Sequence, residues 1–218
     1  MSEEVKPRAY RSPLRAQQAR ETRRRIRDAA DALFREQGYA ATSMDDIAGR
    51  AGVARQTVFS AFGSKAAVLK EALDVRLVGD DEPVAIADRP EARRVMAATD
   101  PRDAIRRQAK LFVETSQRTL PLWPALFAGA AGDPELADLV RFYERGIQEG
   151  PTILVDVIAD LGALRPGRSR RKVKEAMYLL LLPSTMHAAF SLGWSPKEVE
   201  RWLAECLDTL LLDPGRSA

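Results

Sequence analysis

The chain is short of the residues that enzymes and metal centres most often use. Its 218 residues include one cysteine, Cys206, and one histidine, His187. A single thiol excludes an internal disulfide, and one Cys with one His is too few for a zinc site of that kind. No metal and no cofactor is expected. There is no Gly-rich phosphate loop, no nucleophile elbow, and no carboxylate or histidine pair at catalytic spacing. A lone histidine without an orienting partner is a poor catalytic set, so the chain reads as a non-enzyme. Long apolar runs are missing too. The longest, Ala176 to Leu182, ends at Pro183-Ser184-Thr185, well short of the roughly 20 residues that span a bilayer. Charges and prolines occupy the N-terminus in place of an apolar leader. These absences predict a cytoplasmic protein with no membrane contact. No stretch alternates with strand period, which leaves an all-α fold.

What is present is a core-forming composition, 45% hydrophobic and 30% charged. The charge is unevenly placed. Residues 1–78 carry 15 Lys/Arg against 10 Asp/Glu, while residues 79–218 carry 19 against 21. A basic first part beside a slightly acidic remainder suggests a polyanion-binding head on a body that does not bind polyanions. Three regions follow: a basic flexible arm over 1–19, a head with a connecting helix over 20–78, and a body over 79–218. Turn residues after Val78, from Gly79 to Pro83 and again at Asp88-Arg89-Pro90 and Asp100-Pro101, place the second boundary.

The head reads as four helices. Ile26, Ala29, Ala30, Leu33 and Phe34 make one apolar face of a helix from about Arg20 to Gln37, which Gly38 stops. Ser43 caps a second helix, with Asp46 three residues on. Gly52 permits a sharp turn, and Val53, Val58 and Phe62 fill the wedge behind a third helix, Arg55 to Ala61. That leaves Arg55, Gln56, Thr57, Phe59 and Ser60 facing mostly outward. Arg matches guanine O6/N7, Gln matches adenine N6/N7, and Thr suits a phosphate or a thymine methyl. Residues at the start of a recognition helix meet the major groove, and Arg55 and Gln56 stand there. Lys65, in the first turn of a fourth helix capped by Ser64, sits where a helix N-terminus disfavours a cation unless a phosphate joins it.

Taken together, Arg20 to Leu73 resembles the DNA-binding domain of the TetR/AcrR family of transcriptional regulators. The match runs through Ile26, Ala29, Ala30, Leu33, Phe34, Gly38, Tyr39, Thr42, Ser43, Asp46, Ile47, Ala48, Ala51, Gly52, Val53, Thr57, Val58, Phe59, Phe62, Ser64, Lys65 and Leu69. The resemblance implies about nine to ten helices, a homodimer, and a helical body holding a small-molecule pocket. It implies that Thr42, Thr57, Phe59 and Lys65 face phosphates and that Arg55, Gln56 and Ser60 lie near bases. Ala54, Phe59 and Ala61 depart from the common pattern, each removing a polar group. The implied function is a ligand-responsive repressor, released from a palindromic DNA operator by a small apolar effector. The alternative is an all-α binding module with only non-specific DNA affinity.

Beyond Asp103 every segment reads as helix. Asp133-Pro134 opens one, Thr152 to Leu164 is another, and Ser169 to Leu192 a long one kinked at Pro183. Ser195-Pro196-Lys197-Glu198 starts the last. The final helices are apolar enough to fill their own core or to bury against a second copy. Candidate pocket residues are Phe112, Trp123, Phe127, Phe142, Tyr143, Met177 and Met186, with Thr115 and His187 as polar handles. Plain core packing explains any one of them; the expectation concerns the region. Because the recognition helix is chemically lean, the arm should supply part of the affinity. Deleting residues 1–19 is expected to flatten the salt dependence of DNA binding by about one unit of slope per lost phosphate contact. An unchanged slope and affinity would show that the arm takes no part.

Overall fold

The computed structural model describes residues 13–150 and 152–213. Lys6, Arg8 and Arg11 of the expected arm lie outside them. The described residues form α1 (Pro13–Ala41), α2 (Met44–Ala51), α3 (Arg55–Phe62), α4 (Lys65–Val78), α5 (Pro90–Met96), α6 (Pro101–Thr119), α7 (Trp123–Ala130), α8 (Pro134–Glu149), α9 (Thr152–Asp160), α10 (Arg170–Leu180), α11 (Pro183–Ser191) and α12 (Pro196–Leu211). Among them there is no strand, only an isolated bridge between Leu164 and Leu212. No helix among the described residues is long and apolar enough to cross a membrane. The chain divides into two compact units between Ala72 and Leu73, inside α4.

In the first unit, α1 begins at Pro13, so the last residues of the expected arm are helical. The helical geometry breaks at Gly38 (φ 79°), and one more turn follows before α2. Ile26, Ala30 and Phe34 of α1, Ile47 and Ala48 of α2, Val58 of α3, and Val68 and Leu69 of α4 are buried. Gly52 ends α2 in the left-handed region (φ 63°), and an added Cβ would lie 2.9 Å from Arg25 Nη2. That nitrogen donates to the carbonyls of Ala51 (2.5 Å) and Gly52 (3.1 Å), so Arg25 occupies the α2–α3 corner. Arg23 grips Glu71 of α4 and lies 4.1 Å over the Phe62 ring. Arg27 is buried and pairs with Asp28 at 3.0 Å.

The second unit has its own core. Ile105, Ala109 and Val113 of α6 meet Leu154 and Ile158 of α9, Val173 and Met177 of α10, and Val199, Leu203, Leu207 and Leu211 of α12. The long helix expected over 169–192 is two helices. Leu182 adopts extended backbone (ψ 140°) and Pro183 opens α11, because a residue before proline is driven out of the helical region. Likewise α9 stops at Asp160, short of Leu164, with Gly162 at φ 64°.

Both expected capping boxes form. At α2, Asp46 N–H donates to Ser43 Oγ (3.1 Å), and Ser43 N–H donates to Asp46 Oδ2 (2.9 Å). At α12, Ser195 and Glu198 make the same exchange. The Ser43 hydroxyl, then its backbone N–H, holds the Asp46 carboxyl below its ordinary value. A depressed carboxylate stabilises the fold above its unfolded pKa and loses that contribution as pH falls through its folded value. Ser43→Ala is therefore expected to cost about 1 kcal/mol in urea unfolding near neutral pH. Ser43→Thr should restore most of the loss, and the Ser43→Ala penalty should shrink in acid below the Asp46 folded pKa.

Candidate DNA interface and effector cavity

The outward face of α3 is built by two neighbours of its first residue. Arg55 is exposed, pairs with Asp45 of α2 at 3.0 Å, and stands 5.3 Å over the ring of Phe59. Phe59 lies one turn along α3 and is 37% exposed, so it supports the guanidinium rather than filling the core. Gln56 and Ser60 are exposed on the same helix, and Thr57 is half-buried. Ala54 stands at the N-cap and gives α3 no side-chain cap. Five of the seven expected DNA residues thus share one short helix, with Arg55 prepositioned by a carboxylate and a ring.

Thr42 and Lys65 sit differently. Thr42 is 1% exposed. Its hydroxyl donates to Gly38 O (2.8 Å) and accepts from Gln37 Nε2 (3.3 Å). Its hydroxyl is spent on an internal bond that holds the α1–α2 corner. Lys65 reaches the same corner. Its ammonium donates to Tyr39 O and Thr42 O, both at 2.7 Å, and lies 4.0 Å above the Tyr39 ring. Tyr39 in turn stacks on Phe34 at 5.6 Å. The start of α4 is pinned to the α1–α2 corner through the residue expected to meet a phosphate.

In the second unit, a cavity of about 870 Å³ opens beside the last turn of α4, within the range of small-molecule sites. Of the nine candidate pocket residues, Phe112, Thr115, Trp123, Phe142 and Tyr143 line it. Trp123 meets Tyr143 edge to face at 5.5 Å. The other four stand elsewhere. Met177 and Met186 are fully buried in the core, on the same inward stripes as Val173 and Ala189. His187 is exposed, because Met186 and Ala189 take the inward face of α11. Phe127 stacks on Trp123 at 5.3 Å from outside the wall.

The wall also contains residues that sequence reasoning missed. Leu77 and Val78, the end of α4, are part of it. The carbonyls there are held by Arg118 of α6: Nε donates to Arg76 O (2.8 Å) and Nη2 to Leu77 O (3.2 Å). Arg76 Nη1 returns the bond to Arg118 O at 2.5 Å. Tyr143 donates its hydroxyl to Asp74 Oδ1 of α4 at 2.8 Å. Burial, then the Asp74 charge and that hydrogen bond, raises the Tyr143 pKa far above its ordinary value, so the phenol stays a neutral donor. An arginine near a helix end reads in sequence as a solvated cation that complements the dipole, and nothing about Arg118 distinguished it.

Residues 26–72 match the family model for bacterial regulatory proteins, tetR family. Over the head, the chain is thus similar to the tetR family. No curated protein matches the sequence significantly. Close to nine-tenths of the chain shares the fold of several solved proteins. NalD of Pseudomonas aeruginosa, the secondary repressor of the MexAB-OprM multidrug efflux pump, is 21% identical with a TM-score of 0.64, over 90% of this chain and 98% of NalD. SmeT, solved in complex with triclosan, is 21% identical with a TM-score of 0.68, over 89% and 93%. PfmR, a TetR family transcriptional regulator from Thermus thermophilus, is 22% identical with a TM-score of 0.59, over 88% and 97%.

The burial of Thr42 separates two kinds of effect. Thr42→Val is expected to lower stability by about 1 kcal/mol through the lost hydroxyl bond, with the salt slope of DNA binding unchanged. Urea unfolding and binding titrations at several salt concentrations check both. A flatter slope in Thr42→Val would restore the phosphate contact.

Proposed function

We propose that the protein is a ligand-responsive repressor that binds a palindromic operator as a homodimer and leaves it when a small molecule fills the body cavity. The observation that carries this reading is the position of α4. Its first residue, Lys65, is tied to the α1–α2 corner, and its last residues, Leu77 and Val78, are cavity wall. One uninterrupted helix therefore belongs to both the DNA head and the cavity. A ligand that favours one position of the last turn of α4 shifts the population of head arrangements; one that binds both positions equally does nothing.

At the DNA, Arg55 and Gln56 read base edges, with Ser60 beside them, while Thr57 and Lys65 approach phosphates. Phe59 acts chiefly by supporting Arg55. One helix of eight residues reads few base pairs, so a second copy is needed to bring specific affinity. The inward stripe of α12, Val199 to Leu211, is consumed by the core of its own chain. What remains for a twin are apolar side chains left exposed, Leu179 of α10 and Leu192 and Trp194 before α12. Repression and an apolar effector are further supported by NalD, a repressor, and by SmeT, which was solved with triclosan.

Selection from random DNA should yield one short palindrome, bound by a species of twice the 24.1 kDa chain mass. Salt-sensitive binding with no sequence preference would instead support an all-α module without an operator. A monomer mass at micromolar concentration would remove the two-fold reading.

A further inference from the structure

The cavity contains a half-buried cation that, among the described residues, has no counter-ion. Arg118 lines the wall, and among the described residues its side chain donates only to neutral oxygens: Arg76 O, Leu77 O and Thr115 Oγ1 (3.1 Å). Its Nη1 makes no hydrogen bond among the described residues. Three of the four carboxylates on the wall are engaged with other cations. Asp80 is held bidentately by Arg89 at 2.6 and 2.9 Å. Glu91 and Glu114 stand opposite Arg94 and Lys110 at 3.7 and 3.8 Å. Glu149 is exposed, and so is Arg145, one turn before it on α8. Arg118 is thus a half-buried wall cation that faces no carboxylate among the described residues, and it lies against the end of α4.

We propose that the effector is an amphipathic organic anion, a carboxylate on an apolar body, whose carboxylate is received by Arg118. This rests on the effector reading above and gives it a ligand class. The apolar body meets Phe112, Trp123, Phe142, Ile153 and Leu181. A carboxylate accepts two parallel bonds from a guanidinium, and such charge-assisted pairs are stronger than bonds to neutral carbonyls. The Nη1–Nη2 edge offers Nη1 and the Nη2 proton now given to Thr115 Oγ1, while the Nε–Nη2 edge stays on the Arg76 and Leu77 carbonyls. The ligand and the last turn of α4 then share one guanidinium, so a carboxylate that shifts it also shifts the bonds that hold α4. A cationic ligand gains nothing from Arg118, and a neutral one gains only an uncharged bond, weaker than a charge-assisted pair.

A matched series tests this on the full-length protein: 1-naphthaleneacetate, its neutral amide, and 2-(1-naphthyl)ethylamine. Binding is followed by quenching of Trp123 in the wall, with Trp123→Phe as the control for the other tryptophans. Release is followed by anisotropy of an operator selected from random DNA. The expected result is binding of the carboxylate at least about tenfold tighter than the amide, and DNA release by the carboxylate alone. In Arg118→Met that preference should vanish while the amide still binds. Should Arg118→Met fail to fold, the wild-type series decides by itself. Equal or stronger binding by the amide or amine, with DNA release, overturns the anion assignment and leaves the effector reading standing. Binding of none of the three to the cavity overturns both.

Discussion

The ends of two helices depend on each other's arginines. The last carbonyls of α4 and α6 have no partners within their own helices. Arg118, near the end of α6, donates to the carbonyls of Arg76 and Leu77, and Arg76, near the end of α4, donates to the carbonyl of Arg118. Each guanidinium sits at the negative pole of the other helix, where a cation is favoured. The phenol of Tyr143 fixes the same helix one turn earlier through Asp74. The last turn of α4 is thus held by polar bonds that a ligand can contest, beside a cavity large enough to admit one.

The head answers a different demand. A face that reads DNA must keep polar groups uncommitted to the core, yet ordered. Arg55 meets both needs, since Asp45 and the Phe59 ring fix its position without burying it. The groups that hold the scaffold are equally polar: Thr42, Lys65, Arg23 and Arg25 all spend bonds on the corners between helices. In this small unit the residue types suited to phosphate also hold the helix junctions. Type alone does not assign the role, and burial decides it.

That division explains what could be read from the sequence. Helix starts were legible because caps are local: Ser43-x-x-Asp46, Ser64, Asp133-Pro134 and Ser195-x-x-Glu198 each satisfy backbone donors within a few residues. The apolar stripe of α1 and the αL turn at Gly52 were legible for the same reason. The outward set on α3 followed from subtracting the inward one. Pocket residues were less legible, since a buried Met or aromatic looks alike whether it faces a core or a cavity. Met177 and Met186 went to the core, and Trp123 and Tyr143 to the wall. Arg118, Asp74 and the break at Leu181–Leu182 follow from tertiary contacts and backbone limits that periodicity does not encode.

The central claim is that the cavity and the DNA-reading helix are coupled through α4. Coupling between two binding events is reciprocal. The most direct measurement is therefore the affinity of the wild-type protein for its selected operator with the cavity empty and with it saturated by ligand. Alongside it goes the affinity for that ligand with the operator absent and saturating. The account predicts that operator affinity falls on occupancy, and that the operator weakens the ligand by the same factor. Operator affinity that does not change at full cavity occupancy would contradict it.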